Sequence, residues 1–251
     1  FVVILSCLVS PILTGADNGQ AIMQKVNDQS NYHRTKQTTV TMRIVNEKKQ
    51  ERIRLFNSYS KYNPESDENR SLARFYEPPT VKNVALLSVK KRDSNQTART
   101  DQWIYFPAFK SIKQLIGSEK NDSVMGSDFT YSDISGRHID VDTHTILKQT
   151  EDYAFIKSVP NNNQDIYAHI ISKIDVKTWV PVQVIFFKKT ADSQKFKTLY
   201  YDAVGYFDGA YIPTQLTMVN HQTDGYTQLV LSDIRTNINL TDNDVSYKAL
   251  K

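Results

Sequence analysis

The chain has 251 residues, with 31 Lys and Arg against 27 Asp and Glu, a net charge of +4 that is spread along its length. A nucleic-acid binder concentrates such an excess on one face, so this composition argues against that class. With 39% hydrophobic and 11% aromatic residues and a single cysteine, the chain can build one β-rich core by apolar burial, without disulfides.

Residues Phe1 to Leu13 are uncharged and nearly all apolar. That run is too short to span a bilayer and fits a signal-peptide core. Thr14-Gly15-Ala16 supplies small residues at a cleavage point, so residues 1–16 are expected to be a signal peptide clipped at its start, and 17–251 one mature domain. Cys7 follows Ile4-Leu5-Ser6, a loose likeness to a lipoprotein box. The long apolar run after it favours an ordinary Cys in a discarded leader.

Asn18 to Asp28 reads as a short helix, with Ile22, Met23 and Val26 at helical spacing. Thr38 to Asn46 then alternates, with Val40, Met42 and Ile44 on one side. Glu51 to Tyr59 alternates again, with Ile53 and Leu55 opposed by Arg52 and Arg54, which predicts a hairpin with one apolar and one wet face. Further strands are expected at 71–77, 83–90, 101–106 and 110–116. After a helix near 127–135, seven more follow at 144–149, 153–159, 168–175, 181–188, 198–207, 211–220 and 226–234. Asp208-Gly209 and Asp224-Gly225 are hairpin turns. Residues 239–251 are polar and are expected to cap a sheet edge or fray. The pattern is that of one antiparallel meander, curled or closed, mainly β.

The sharpest catalytic-looking string is His138-Ile139-Asp140-Val141-Asp142-Thr143-His144. In an extended strand alternate residues share a face, but successive ones stand about 6.5–7 Å apart, too far for all four to converge on one ion. A polar strand face is the simpler reading. Ser127 lacks the flanking glycines of a nucleophile elbow and suits helix capping. No catalytic residue, metal ligand or cofactor is therefore assigned.

The stretch Trp103-Ile104-Tyr105-Phe106-Pro107, a basic hairpin partner, and then Met125-Gly126-Ser127-Asp128-Phe129-Thr130-Tyr131-Ser132-Asp133 resembles the outer-membrane lipoprotein-sorting protein family. The Met-Gly-Ser-Asp-Phe-Thr-Tyr segment is its specific part. The resemblance implies a LolA-like fold: an unclosed antiparallel β-barrel, or strongly curved sheet, with short helices as plug or lid. It implies a non-enzymatic, monomeric periplasmic carrier for lipid acyl chains or lipidated cargo, engaged in lipoprotein sorting or serving an inner-membrane exporter of hydrophobic molecules. Such a cavity is expected to be lined by Val40, Met42, Ile44, Ile53, Leu55, Phe75, Leu86, Trp103 and Phe106, with Phe129 and Tyr131 on the lid. The rival readings are a periplasmic sensor of the same fold binding an inner-membrane partner, and a metal-dependent enzyme centred on the His138–His144 string.

Overall fold

The computed structural model describes residues 15–163 and 165–251; the expected leader and Cys7 lie outside them. Helix α1 (Gly15–Ser30) precedes thirteen strands: β1 (Thr35–Val45), β2 (Glu51–Asn63), β3 (Glu68–Glu77), β4 (Ala85–Arg92), β5 (Ala98–Phe106), β6 (Ser111–Leu115), then, after helix α2 (Tyr131–Ser135), β7 (Asp142–Gln149), β8 (Tyr153–Pro160), β9 (Tyr167–Asp175), β10 (Pro181–Lys188), β11 (Ala191–Phe207), β12 (Ala210–Asn220) and β13 (Gly225–Thr236).

The strands form one antiparallel sheet in the order β6-β5-β4-β3-β2-β1-β13-β12-β11-β10-β9-β8-β7. The chain meanders outward from β1 to β6, crosses to the far edge at β7, and meanders back until β13 pairs with β1. The edges β6 and β7 do not pair, so the sheet is the unclosed barrel that the resemblance implied, where the alternation alone left it curled or closed.

Register decides the faces. In an antiparallel pair, directly opposed residues share a face. Val40 stands opposite Phe56, Met42 opposite Arg54 and Ile44 opposite Arg52. Val40, Met42, Ile44 and Phe56 lie in the main core with Phe75, Leu86 and Ile104, which identifies the concave face. Arg52 and Arg54 therefore belong to the core side of β2, and Ile53, 51% exposed, to the outer side with Leu55. This reverses the faces expected for β2. The strand carries two apolar phases, and the one containing Phe56 docks.

The outer face of β3–β5 is covered too. Residues 239–251 fold back as two short 3-10 turns whose Val245 and Leu250 are wholly buried against Leu72, Leu87 and Trp103. The C-terminus thus packs on the outer face instead of capping an edge. Among the described residues, no helix is long and apolar enough to cross a membrane.

Candidate functional site

Because β6 and β7 lie on opposite edges, the connection across residues 116–141 has to traverse the concave face. Met125 and Gly126 both take positive φ, 51° and 78°, to make its tight turn. The turn lets the Val124 N–H donate to the Phe129 carbonyl at 2.9 Å. Asp128 anchors the loop to the sheet: the Thr227 hydroxyl of β13 donates to its Oδ2 at 2.7 Å, and the Asn220 amide of β12 to its Oδ1 at 3.3 Å. Thr130, not Ser127 or Asp128, caps α2; its side chain accepts from the Asp133 N–H at 3.1 Å, and the Asp133 carboxylate accepts from the Thr130 N–H at 2.8 Å. Phe129 and Tyr131 are consequently buried, at 4% and 7% exposure, inside the main core. They form a plug in the concavity and not a surface flap.

That plug changes the surroundings of the residues expected to line a cavity. Val40, Met42, Ile44, Phe75 and Leu86 are buried and share one core with Val124, Phe129 and Tyr131; Phe106 packs against its margin. Trp103 stands opposite Leu87 on the outer face, edge-on to Tyr247 at 6.2 Å. Ile53 and Leu55 also face outward.

The space left on the concave side lies at the other half of the sheet. A cavity of about 210 Å³ opens between α1 and strands β8–β12, and none of the expected lining residues borders it. Its apolar wall comes from Met23 and Val26 of α1, Val184 and Phe186 of β10, Leu199 of β11 and Met218 of β12. Helix α1 roofs it because Gly19 sits directly on β7; a Cβ there would stand 2.5 Å from the His144 carbonyl oxygen. Ile22 of the same helix packs against Ala154, Ile156 and Ile174.

The rest of the cavity border is polar and internally paired. Lys197 lies 2.5 Å from Asp133 Oδ2, and the Tyr167 hydroxyl donates to Asp133 Oδ1 at 2.7 Å. Burial, reinforced by Asp133, pushes the Tyr167 phenol well up. Arg137 donates to Asp142 at 2.8 Å and to Asp165 at 2.8 Å. Burial opposes its charge, but the two carboxylates prevail and hold the guanidinium above its usual range.

The His138–His144 string is dispersed among separate partners. A 3-10 turn at Ile139–Val141 breaks the extended geometry. His138 Nδ1 accepts from the Asp140 N–H at 3.2 Å, so its Nε2–H donates to Asp67 at 3.0 Å. His144 Nε2–H donates to the Ile139 carbonyl at 2.8 Å, leaving Nδ1 to accept from Ser158 at 2.7 Å. Asp140 pairs with Arg92 and Asp142 with Arg137. Among the described residues, no group of three His, Cys, Asp or Glu is arranged to hold a metal ion.

On the concave face Arg54, Lys36 and Lys90 form no ion pair among the described residues. Arg54 leaves its Nε buried and unbonded, and burial beside Arg52 lowers its pKa. Lys36 donates only to the Ser30 carbonyl, at 2.7 Å. Lys90 makes neither an ion pair nor a side-chain hydrogen bond among the described residues, and burial lowers its pKa against the pull of Asp67. A lysine in a strand ordinarily reads as solvated, so no local signal marked Lys36 as facing inward.

An open, plugged β-meander with a helix across its concave face defines a LolA-like fold of the lipoprotein-sorting type. A domain named as an outer membrane lipoprotein-sorting protein domain, from Vibrio parahaemolyticus, superimposes with a TM-score of 0.84 at 26% identity, covering 94% of this chain and 99% of that one. A DUF1329 family protein from Desulfovibrio piger matches with a TM-score of 0.86 at 21% identity over 94% and 99% of the two chains. A LolA superfamily protein from Nitrosomonas europaea matches with a TM-score of 0.69 at 16% identity over 92% and 98%. No curated protein matches the sequence. A family model described as an uncharacterized protein matches residues 67–251, and the chain belongs to that family.

Proposed function

We propose that this protein is a periplasmic carrier, not an enzyme, that buries the acyl chain of a lipid or lipidated protein in the cavity beneath α1. The observation that supports this most is the cavity itself: about 210 Å³, with one continuous apolar wall, inside a fold of the lipoprotein-sorting type. Each CH₂ placed there gains about 0.8 kcal/mol. The volume is smaller than the roughly 300–1,000 Å³ of ordinary small-molecule sites, so a long chain enters only as α1 moves away. Polar contacts of Gln20 to Asp140 at 3.2 Å, Gln29 to the Tyr211 carbonyl at 3.0 Å and Lys36 to the Ser30 carbonyl at 2.7 Å, with Asn69 to Asn31 at 2.8 Å just past its end, hold the helix and can be exchanged for water. Displacement of the plug as well would lay bare Val40, Met42, Ile44, Phe75 and Leu86, the surface expected from the sequence. Delivery from an inner-membrane exporter belongs to the same reading.

The test is native mass spectrometry of delipidated protein with ten- to sixteen-carbon acyl probes. Wild type should retain one probe, and Val184→Phe, which fills the cavity from β10, should lose it while melting within a few degrees of wild type. Absence of any acyl complex in wild type would overturn the proposal.

A further inference from the structure

The concave face of β1–β5 changes character along the strands. Following the register across the sheet, Lys36 of β1 stands opposite Ser60 of β2, Ser60 opposite Ser71 of β3, Ser71 opposite Ser88 of β4, and Ser88 opposite Gln102 of β5. Opposed residues share a face, so these five form one polar row on the same face as the apolar row of Val40 and Phe56. Lys90 lies two residues beyond Ser88 on the same strand, hence on the same face.

Lys36 borders the space under α1, and Lys90 stands beside a residue that lines it. Lys36 lines a smaller cavity of about 150 Å³ whose walls include Val26, Pro181 and Tyr201. Those three residues also line the 210 Å³ cavity, so the two spaces adjoin. On the other side, Gly136 lines the larger cavity, and a Cβ on Gly136 would lie 3.5 Å from the Lys90 Nζ. The two amines also sense one another, Lys90 helping to depress the pKa of Lys36.

The contrast with the other charges around the cavity is decisive. Asp133 is held by Lys197 and Tyr167, and Asp142 by Arg137. Asp67, the carboxylate nearest in influence to Lys90, is already engaged by Arg92, His138 and Tyr62. Charges taken from water are ordinarily paired. Here the carboxylates have their cations, while two half-buried ammonium groups form no ion pair among the described residues, Lys36 being held by the Ser30 carbonyl alone.

We propose that Lys36 and Lys90 seat the anionic headgroup, a carboxylate or a phosphate, of an acyl ligand whose tail lies in the 210 Å³ cavity. This rests on the carrier reading and adds the headgroup class to it. The oxyanion takes the charge-assisted hydrogen bonds that the protein leaves open, with the Ser60 and Ser71 hydroxyls beside it. Burial holds Lys36 at about 8 in the empty protein, so binding draws a proton onto it near that pH. The groups facing the pair are His33, Tyr201, Tyr62, Asp67, Arg92 and His138; Tyr201, pushed up to about 12 by burial, stays neutral through that range.

Titration calorimetry with decanoate, decyl phosphate, decanol and inorganic phosphate, at pH 7 and pH 9.5, tests this. Decanoate and decyl phosphate should bind wild type at least about tenfold more tightly than decanol at pH 7, with the preference shrinking at pH 9.5. The double variant Lys36→Met/Lys90→Met should bind all three decyl probes alike, at the decanol affinity, and Lys36→Arg/Lys90→Arg should restore the preference. Equal binding of decanoate and decanol to wild type, or a preference that survives the double Met variant, overturns the headgroup assignment and leaves the carrier reading standing. Inorganic phosphate binding as tightly as decyl phosphate assigns the lysines to a free anion and overturns it too. Failure of every decyl probe, decanol included, overturns the carrier reading itself.

Discussion

Lys197 of β11 and Asp133 of α2 meet at 2.5 Å with side chains only 2% and 4% exposed, a buried ion pair between the crossing segment and the sheet it plugs. Asp133 also caps α2 and accepts the Tyr167 hydroxyl. Removing one member of such a pair leaves the other buried and uncompensated. Lys197→Met is expected to cost about 3–5 kcal/mol in urea unfolding. Adding Asp133→Asn, which preserves the capping acceptor, should recover most of that loss. A cost for Lys197→Met below about 1 kcal/mol would show that water already reaches the pair.

The second prediction sets helix propensity against sterics at Gly19. Replacing a mid-helix glycine by alanine ordinarily stabilises a helix by about 1 kcal/mol. Here the added Cβ would come within 2.5 Å of the His144 carbonyl oxygen, a backbone atom that cannot step aside alone. Gly19→Ala should therefore lower stability and lift α1 from β7. Amide exchange across Asp142–Gln149 should accelerate relative to β1. Unchanged exchange there would mean that the helix absorbs the methyl without moving.

The third concerns alkaline pH. Burial, aided by Lys90, lowers the Lys36 pKa from 10.5 to about 8. A lysine with a depressed folded-state pKa binds fewer protons folded than unfolded between those values, so stability from this group rises with pH there. The penalty is fully present below about 8 and is relieved as pH climbs toward 10.5. The full shift corresponds to about 3 kcal/mol, which water in the adjoining cavity screens to a fraction of that. Lys36→Met should accordingly be more stable than wild type at pH 7, with the gap narrowing by pH 10. A gap that stays constant with pH would dissociate the effect from titration.

Much of the sheet was legible in the sequence because alternation is a local signal. Asp208-Gly209 and Asp224-Gly225 mark the β11–β12 and β12–β13 turns, and each expected strand overlaps an observed one. The faces were harder. In β2 both phases carry apolar residues, and pairing of Phe56 with Val40 selects the phase that sends Arg52 and Arg54 inward. Trp103 misled for a related reason: β5 is covered on both sides, by the crossing segment and by Val245 and Leu250, so apolar residues occur in both phases.

Strand number, a mainly β antiparallel architecture and the scarcity of helices were determined by the sequence alone, since period-two patterning and turn residues act within a few positions of one another. Which segment fills the concavity, where the remaining space lies, and which lysines face it were decided only by tertiary structure. Those outcomes depend on pairing between residues as distant as Asp67 and His138 or Asp128 and Thr227, and on a crossing whose path follows from the two sheet edges being far apart.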